Sequence, residues 1–114
     1  MDFETIRKGD ILRINVLAER IDAACAVEFK DRMREICGQE PARVVLDLQR
    51  VEFLDSSGLG AVVATMKHLG KERRLELAGL SSKVSKVFRL TRMDSIFTIH
   101  QTADAAMTSN ASAA

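Results

Sequence analysis

After an opening hairpin, the chain repeats one alternation: a short run suited to a strand, then a stretch whose apolar residues return at helical spacing. Strands that alternate with helices are joined by crossovers, and crossover-linked neighbours in a sheet run parallel. Leu12, Ile14 and Val16 alternate with Arg13 and Asn15, which predicts a half-buried strand. Phe3 to Arg7 reads as a weaker strand turned into it through Lys8-Gly9-Asp10. Asp22 is then expected to cap a helix carrying Ala26, Phe29, Met33, Ile36 and Cys37 on one face, stopped by Gly38 and Pro41. Arg43 to Leu48 is the strongest strand. A helix follows from about Ser57 to Leu69, apolar nearly all round at Leu59, Val62, Val63 and Met66, and Gly70 stops it. Arg74 to Ala78 is the next strand. Ser81 or Ser82 caps a helix with Val84, Val87, Phe88 and Thr91 on one face, Ile96 to His100 is the last strand, and Thr102 to Met107 makes a short closing helix. The expected fold is a single α/β domain over residues 1–107, a mixed, mostly parallel sheet packed with about four helices. Residues 108–114, small and polar, are expected to form a disordered tail.

At 114 residues the chain can bury a core without disulfides or metal. Cys25 and Cys37, both assigned to the first helix, would stand roughly 18 Å apart along it, beyond disulfide reach. His68 and His100 have no Cys, Asp or Glu at ligand spacing, so no metal site and no cofactor are expected. The formal net charge is +1, and the aromatics are five Phe with no Trp or Tyr. Neither feature suits a nucleic-acid groove, which stacks bases on several aromatics along a basic track. The cluster Lys67, His68, Lys71, Arg73 and Arg74, broken by Leu69 and Glu72, reads as a solvated helix end. The longest apolar run, near Leu59 to Met66, is far short of a membrane span, and the first residues lack the pattern of a secretion signal. The expectation is a cytoplasmic protein with no membrane insertion, a monomer when free.

The segment Asp55-Ser56-Ser57-Gly58-Leu59-Gly60 stands where a strand end gives way to a helix, the position at which alternating α/β folds gather their sites. A helix start offers free N–H groups and the positive end of a dipole. Here a carboxylate and two hydroxyls meet it, and Gly58 and Gly60 strip side chains from the first turn. An Asp or Ser at a helix start is most often only a cap. Two glycines, each costing a helix roughly 0.8–1 kcal/mol relative to alanine, tilt the reading towards a close approach by another backbone or a phosphate.

Leu54-Asp55-Ser56-Ser57-Gly58-Leu59-Gly60, preceded by Val44-Val45-Leu46-Asp47-Leu48, resembles the STAS domain family, and more narrowly its bacterial anti-sigma factor antagonists. The likeness runs from about Phe3 to Met107, and Arg20-Ile21-Asp22-Ala23 is similar to the family's loop before the first helix. The resemblance implies partner switching. The unphosphorylated antagonist binds an anti-sigma factor that is also a serine kinase, which frees the sigma factor. The kinase phosphorylates the second serine of the motif, Ser57 here, and a PP2C-type phosphatase resets it. The partner-binding residues carried over are Asp22, Asp55, Ser56, Ser57, Gly58, Leu59 and Gly60. Glu19 departs from the glycine found there in many members and adds a charge beside the expected docking surface. The alternative is a STAS subunit that docks on a transporter or a large signalling scaffold, but the intact Ser56-Ser57 pair favours the kinase-regulated class.

An enzyme is the other rival. Ser56-Ser57-Gly58 lacks the G-x-S-x-G elbow, and His68 would lie about 16 Å along the helix from Ser57. No catalytic residues are therefore assigned. Gly58-Leu59-Gly60 is only G-x-G with no Lys-Ser or Lys-Thr after it, which is too little for a nucleotide site.

Overall fold

The computed structural model describes residues 1–108. Its main sheet has five strands: β1 (Phe3–Lys8), β2 (Ile11–Val16), β4 (Arg43–Asp47), β6 (Arg74–Ala78) and β7 (Thr98–His100), in the order β1-β2-β4-β6-β7. The first pair is antiparallel and the other three pairings are parallel. Two short strands complete the numbering, β3 (Arg20–Ile21) and β5 (Phe53–Leu54), which pair in parallel as a separate ladder. The helices are α1 (Ala26–Cys37), α2 (Ser56–Leu69), α3 (Ser82–Leu90) and α4 (Ala103–Thr108). The expected α/β architecture, with a mixed and mostly parallel sheet and four helices, is borne out. The tail 108–114 lies outside the described residues, except that Thr108 closes α4.

The alternation in β2 does what the pattern predicts. Leu12, Ile14 and Val16 enter the main core, where Val44, Leu46, Leu75 and Leu77 of the neighbouring strands meet Phe29 and Met33 of α1, Leu59 and Val62 of α2, and Val84 and Phe88 of α3. Three helices thus cover one face of the sheet. Among the described residues, the opposite face carries only α4, whose Ala103 and Ala106 pack on Val45 and Ala78. β4 is buried along its whole length because it has strands on both sides and helices on both faces. Gly38 and Gly70 end α1 and α2 at positive φ, and Ser81 caps α3 by accepting the Val84 N–H.

Three expectations need correction. Asp22 is not the cap of α1. That place falls to Cys25, which makes no side-chain cap bond, and Asp22 instead accepts from the Ala24 N–H inside the preceding turn. Only Cys37 lies within α1, and both cysteines are free. The last strand begins at Thr98, because Met93–Ser95 winds into a 3-10 turn and leaves Ile96 exposed. Finally, β3 and β5 went unforeseen, since two-residue strands show no periodicity.

Beneath α4 lies a buried ionic group that the sequence did not advertise. Arg43 Nε and Nη2 donate to the two Glu76 carboxylate oxygens at 2.7 Å each, Arg43 Nη2 also reaches the Ala106 carbonyl, and His100 Nε2 lies 2.8 Å from Glu76 Oε1. The Glu76 side chain is only 1% exposed. Burial opposes its charge, yet hydrogen bonds from Arg43 and His100 hold its carboxyl below the usual carboxylate range. A lowered folded-state value adds stability at pH above the unfolded carboxylate's and loses it as pH falls through the folded value. Glu76→Ala removes the acceptor of both guanidinium bonds and should cost about 3–5 kcal/mol in urea titration at neutral pH. Glu76→Gln should also lose the part of the wild-type acid-unfolding slope that lies below the ordinary carboxylate range.

Candidate functional site

The β3–β5 ladder builds the site. It lies beyond the carboxyl end of the main sheet and brings Arg20-Ile21-Asp22 alongside Phe53-Leu54-Asp55. The Glu19 carbonyl starts the junction by accepting the Glu52 and Phe53 N–H groups at 2.7 and 3.2 Å. Asp55 then closes it with both carboxylate oxygens. Oδ1 accepts the Gly58 N–H at 2.8 Å, capping α2, and Oδ2 accepts the Ala23 N–H at 3.0 Å from the other loop. One side chain therefore caps a helix and ties two segments 32 residues apart.

Gly58 explains why those segments can touch. A β-carbon built on it would lie 2.0 Å from the Ile21 carbonyl oxygen and 2.8 Å from the carbon behind it. The close approach expected of this glycine is therefore to the chain's own backbone. Gly60 differs: a β-carbon there meets nothing within 4 Å, and the residue is exposed. Leu59 points inward and joins the core, so the outward-facing members of the motif are Ser56, Ser57 and Gly60.

Those three residues border two shallow hollows. One, of about 190 Å3, lies between α1 and α2 and is lined by Ser57, Gly60, Ala61, Ala64, Ala26, Val27 and Lys30. The other, of about 390 Å3, has Ser56, Leu59, Gly60, Val63, Ala64 and Lys67 on one side and Met93 on the other. Gly60 and Ala64 form a low ridge common to both. Exposed Val27 adds apolar surface beside Ser57. The start of α2 thus presents two hydroxyls on a face of small and apolar residues.

Asp22 lies on the loop that Asp55 ties to the start of α2, and it is held from several sides. Arg20 Nε donates to its Oδ2 at 3.0 Å, the Arg20 guanidinium lies 4.6 Å from the centre of the Phe53 ring, and the Cys25 thiol donates to Oδ1 at 3.5 Å. The Arg20 hydrogen bond holds the Asp22 carboxyl below its ordinary value, so the group is ionised at neutral pH. Arg20, Ile21, Ala23 and Phe53 therefore belong to the site, although only Asp22 was singled out on this side. A basic residue two before that aspartate, with an aromatic just ahead of the motif, was the signal available. Glu19 is exposed at the foot of the same loop. The histidines lie elsewhere: His100 is bound to Glu76 on the opposite face of the sheet, and His68 is exposed in the last turn of α2.

The profile of the STAS domain matches residues 2–106. The anti-sigma-B factor antagonist of Listeria monocytogenes is 31% identical over 96 residues, which is 82% of this chain and 84% of that protein. The anti-sigma-F factor antagonist of Mycobacterium tuberculosis is 28% identical over 88 residues, covering 77% and 72%. Among solved structures, an anti-sigma factor antagonist from Mycobacterium paratuberculosis superposes with a TM-score of 0.83 at 27% identity, over 94% of this chain and 91% of that one.

The two glycines of the motif should respond oppositely to the same change. Gly58→Ala drives a methyl group into the Ile21 carbonyl and must push α2 off the β3 loop, at a cost of about 3 kcal/mol or more. Gly60→Ala has open space and a helical backbone, so it should gain about 0.5–1 kcal/mol. Paired urea titrations check both, and equal effects would refute the backbone-contact account.

Proposed function

This chain belongs to the STAS domain family, and we propose that it is a cytoplasmic anti-sigma factor antagonist, monomeric when free, that is switched by phosphorylation of Ser57. In this reading the unphosphorylated chain binds an anti-sigma factor that is also a serine kinase, which releases the sigma factor. Asp22, Asp55, Ser56, Ser57, Gly58, Leu59 and Gly60 make the docking region, with Asp55, Gly58 and Leu59 setting its shape from beneath. A PP2C-type phosphatase restores the binding form. Among the described residues, no helix is long and apolar enough to cross a membrane. The relatives named as anti-sigma factor antagonists support the role.

One observation carries the reading: Ser57 is exposed in the first turn of α2, on the rim of a small-residue hollow in which Lys30 is the one charged lining residue. A phosphate there adds about 1.5–2 negative charges and three acceptor oxygens. Negative charge near a helix N-terminus is favoured by about 0.3–1 kcal/mol, so the domain stays folded. A partner packed on the same face must desolvate that charge, which costs several kcal/mol unless it is compensated. One modification thus alters binding and leaves the fold alone.

Two measurements test this. In calorimetric titration against the partner kinase, Ser57→Ala should bind persistently, whereas Ser57→Asp should bind about 30- to 1,000-fold more weakly, equivalent to roughly 2–4 kcal/mol. Both should melt close to wild type. Peptide mapping after treatment with the kinase and Mg-ATP should place the phosphate on Ser57 and not Ser56. If the phosphorylated chain binds as tightly as the unmodified one, the switch is refuted and docking on a transporter or scaffold takes its place. Separately, Asp22→Ala should weaken kinase binding or phosphorylation while the fold persists, because it removes an ionised carboxylate, held by Arg20, from the loop that Asp55 ties to the start of α2. Unchanged binding and phosphorylation would reduce Asp22 to its role in the turn.

A further inference from the structure

Lys30 stands apart from the other cations of this molecule. It is half-buried on α1 and makes no hydrogen bond or ion pair among the described residues. Every other lysine or arginine withdrawn from solvent is engaged. Arg13 bridges Asp47 and Asp104, Arg32 lies over the Phe3 ring, Arg43 grips Glu76, Arg73 donates to the Cys37 carbonyl, and Arg74 also has a partner. An ammonium with no anion of its own is free to pair with one added beside it. Lys30 lines the 190 Å3 hollow, and Ser57 lines the same hollow from α2. The hollow stays open because its walls are small: Ala26 on one side, Gly60, Ala61 and Ala64 on the other. Lys30 is the only charged residue lining it.

We propose that Lys30 is the intramolecular counter-cation of phosphoserine 57. The inference rests on Ser57 as the modified residue and adds where its phosphate goes. The phosphate turns into the α1–α2 hollow and pairs with the Lys30 ammonium. Asp55 offers the phosphate no donor, since its carboxylate oxygens only accept, from the Gly58 and Ala23 N–H groups. The paired phosphate then fills the hollow that the unmodified chain leaves open to a partner.

The test installs phosphoserine at position 57 by codon-directed incorporation and follows its second ionisation by phosphorus NMR. That ionisation ordinarily lies near pH 6, and a neighbouring cation favours the dianion and lowers it. Lys30→Met and Lys30→Gln should each raise it by about 0.5 pH unit. Lys30→Arg should keep the wild-type value, and so should Lys86→Met, a loss of charge on the exposed side of α3. Curves for Lys30→Met and Lys30→Gln that overlie wild type would overturn the proposal, as would an equal shift in Lys86→Met. No kinase enters this measurement, so the two readings fail separately. A Lys30-dependent titration in a chain whose partner ignores the phosphate retires the switch and supports the contact. Coincident titrations in a chain that still releases its partner retire the contact alone.

Discussion

The packing of the Gly58 backbone on the Ile21 carbonyl organises everything else at the carboxyl end of the sheet. A hydrogen atom in place of a side chain lets the first turn of α2 settle on β3, and Asp55 locks the arrangement with one oxygen on each segment. The β3–β5 ladder, the orientation of Asp22 and the outward aim of Ser56 and Ser57 follow from this contact. Its rigidity matters for a binding face. Small residues supply little energy of their own, so complementarity depends on holding the backbone in place before a partner arrives. A surface built this way can be flat and accessible without being soft.

Charge is distributed unequally over the two faces of the sheet. Around α4 it is paired: buried Glu76 receives Arg43 and His100, and Arg13 reaches from β2 to Asp47 and to exposed Asp104 at the start of α4. Bonds from Arg13 to Asp104 and from Arg43 to the Ala106 carbonyl fasten a helix of only six residues, whose apolar contribution is two buried alanines and the partly buried Met107. On the helical face around Ser57 the opposite holds. The Gly60–Ala64 ridge is uncharged, Asp22 is ionised on the neighbouring loop, and Lys30 has no anion among the described residues. The paired ionic groups are concentrated on the α4 face, whereas the face around Ser57 leaves its cation unanswered. A charge can therefore be added at Ser57 without disturbing the groups that hold the fold.

A phosphate at the start of α2 is well placed for a reversible switch because no structural group has to move. The helix dipole favours it, the nearby cap is already satisfied by Asp55, and the hollow beside it has room. In the proposed switch its effect would fall on the partner, which would meet a charged surface where an unmodified one stood. The free-energy change is confined to the interface, and such local events can be large in binding while small in folding.

Much of this protein was legible in its sequence because the relevant signals are local. The period-2 pattern of Leu12, Ile14 and Val16, the helical spacing of Phe29, Met33 and Cys37, and the stops at Gly38 and Gly70 depend only on neighbours along the chain. The motif from Asp55 to Gly60 announced a cap and a crowded first turn for the same reason. Tertiary structure decided the rest, since it turns on residues far apart in sequence. Gly58 needs Ile21, Asp55 needs Ala23, Arg20 needs Phe53, and Glu76 needs both Arg43 and His100. Neither Lys30 nor Ser57 carries any mark in the sequence of facing one hollow. That relation exists only because α1 and α2 pack side by side on the same face of the sheet, and packing, unlike periodicity, is not written along the chain.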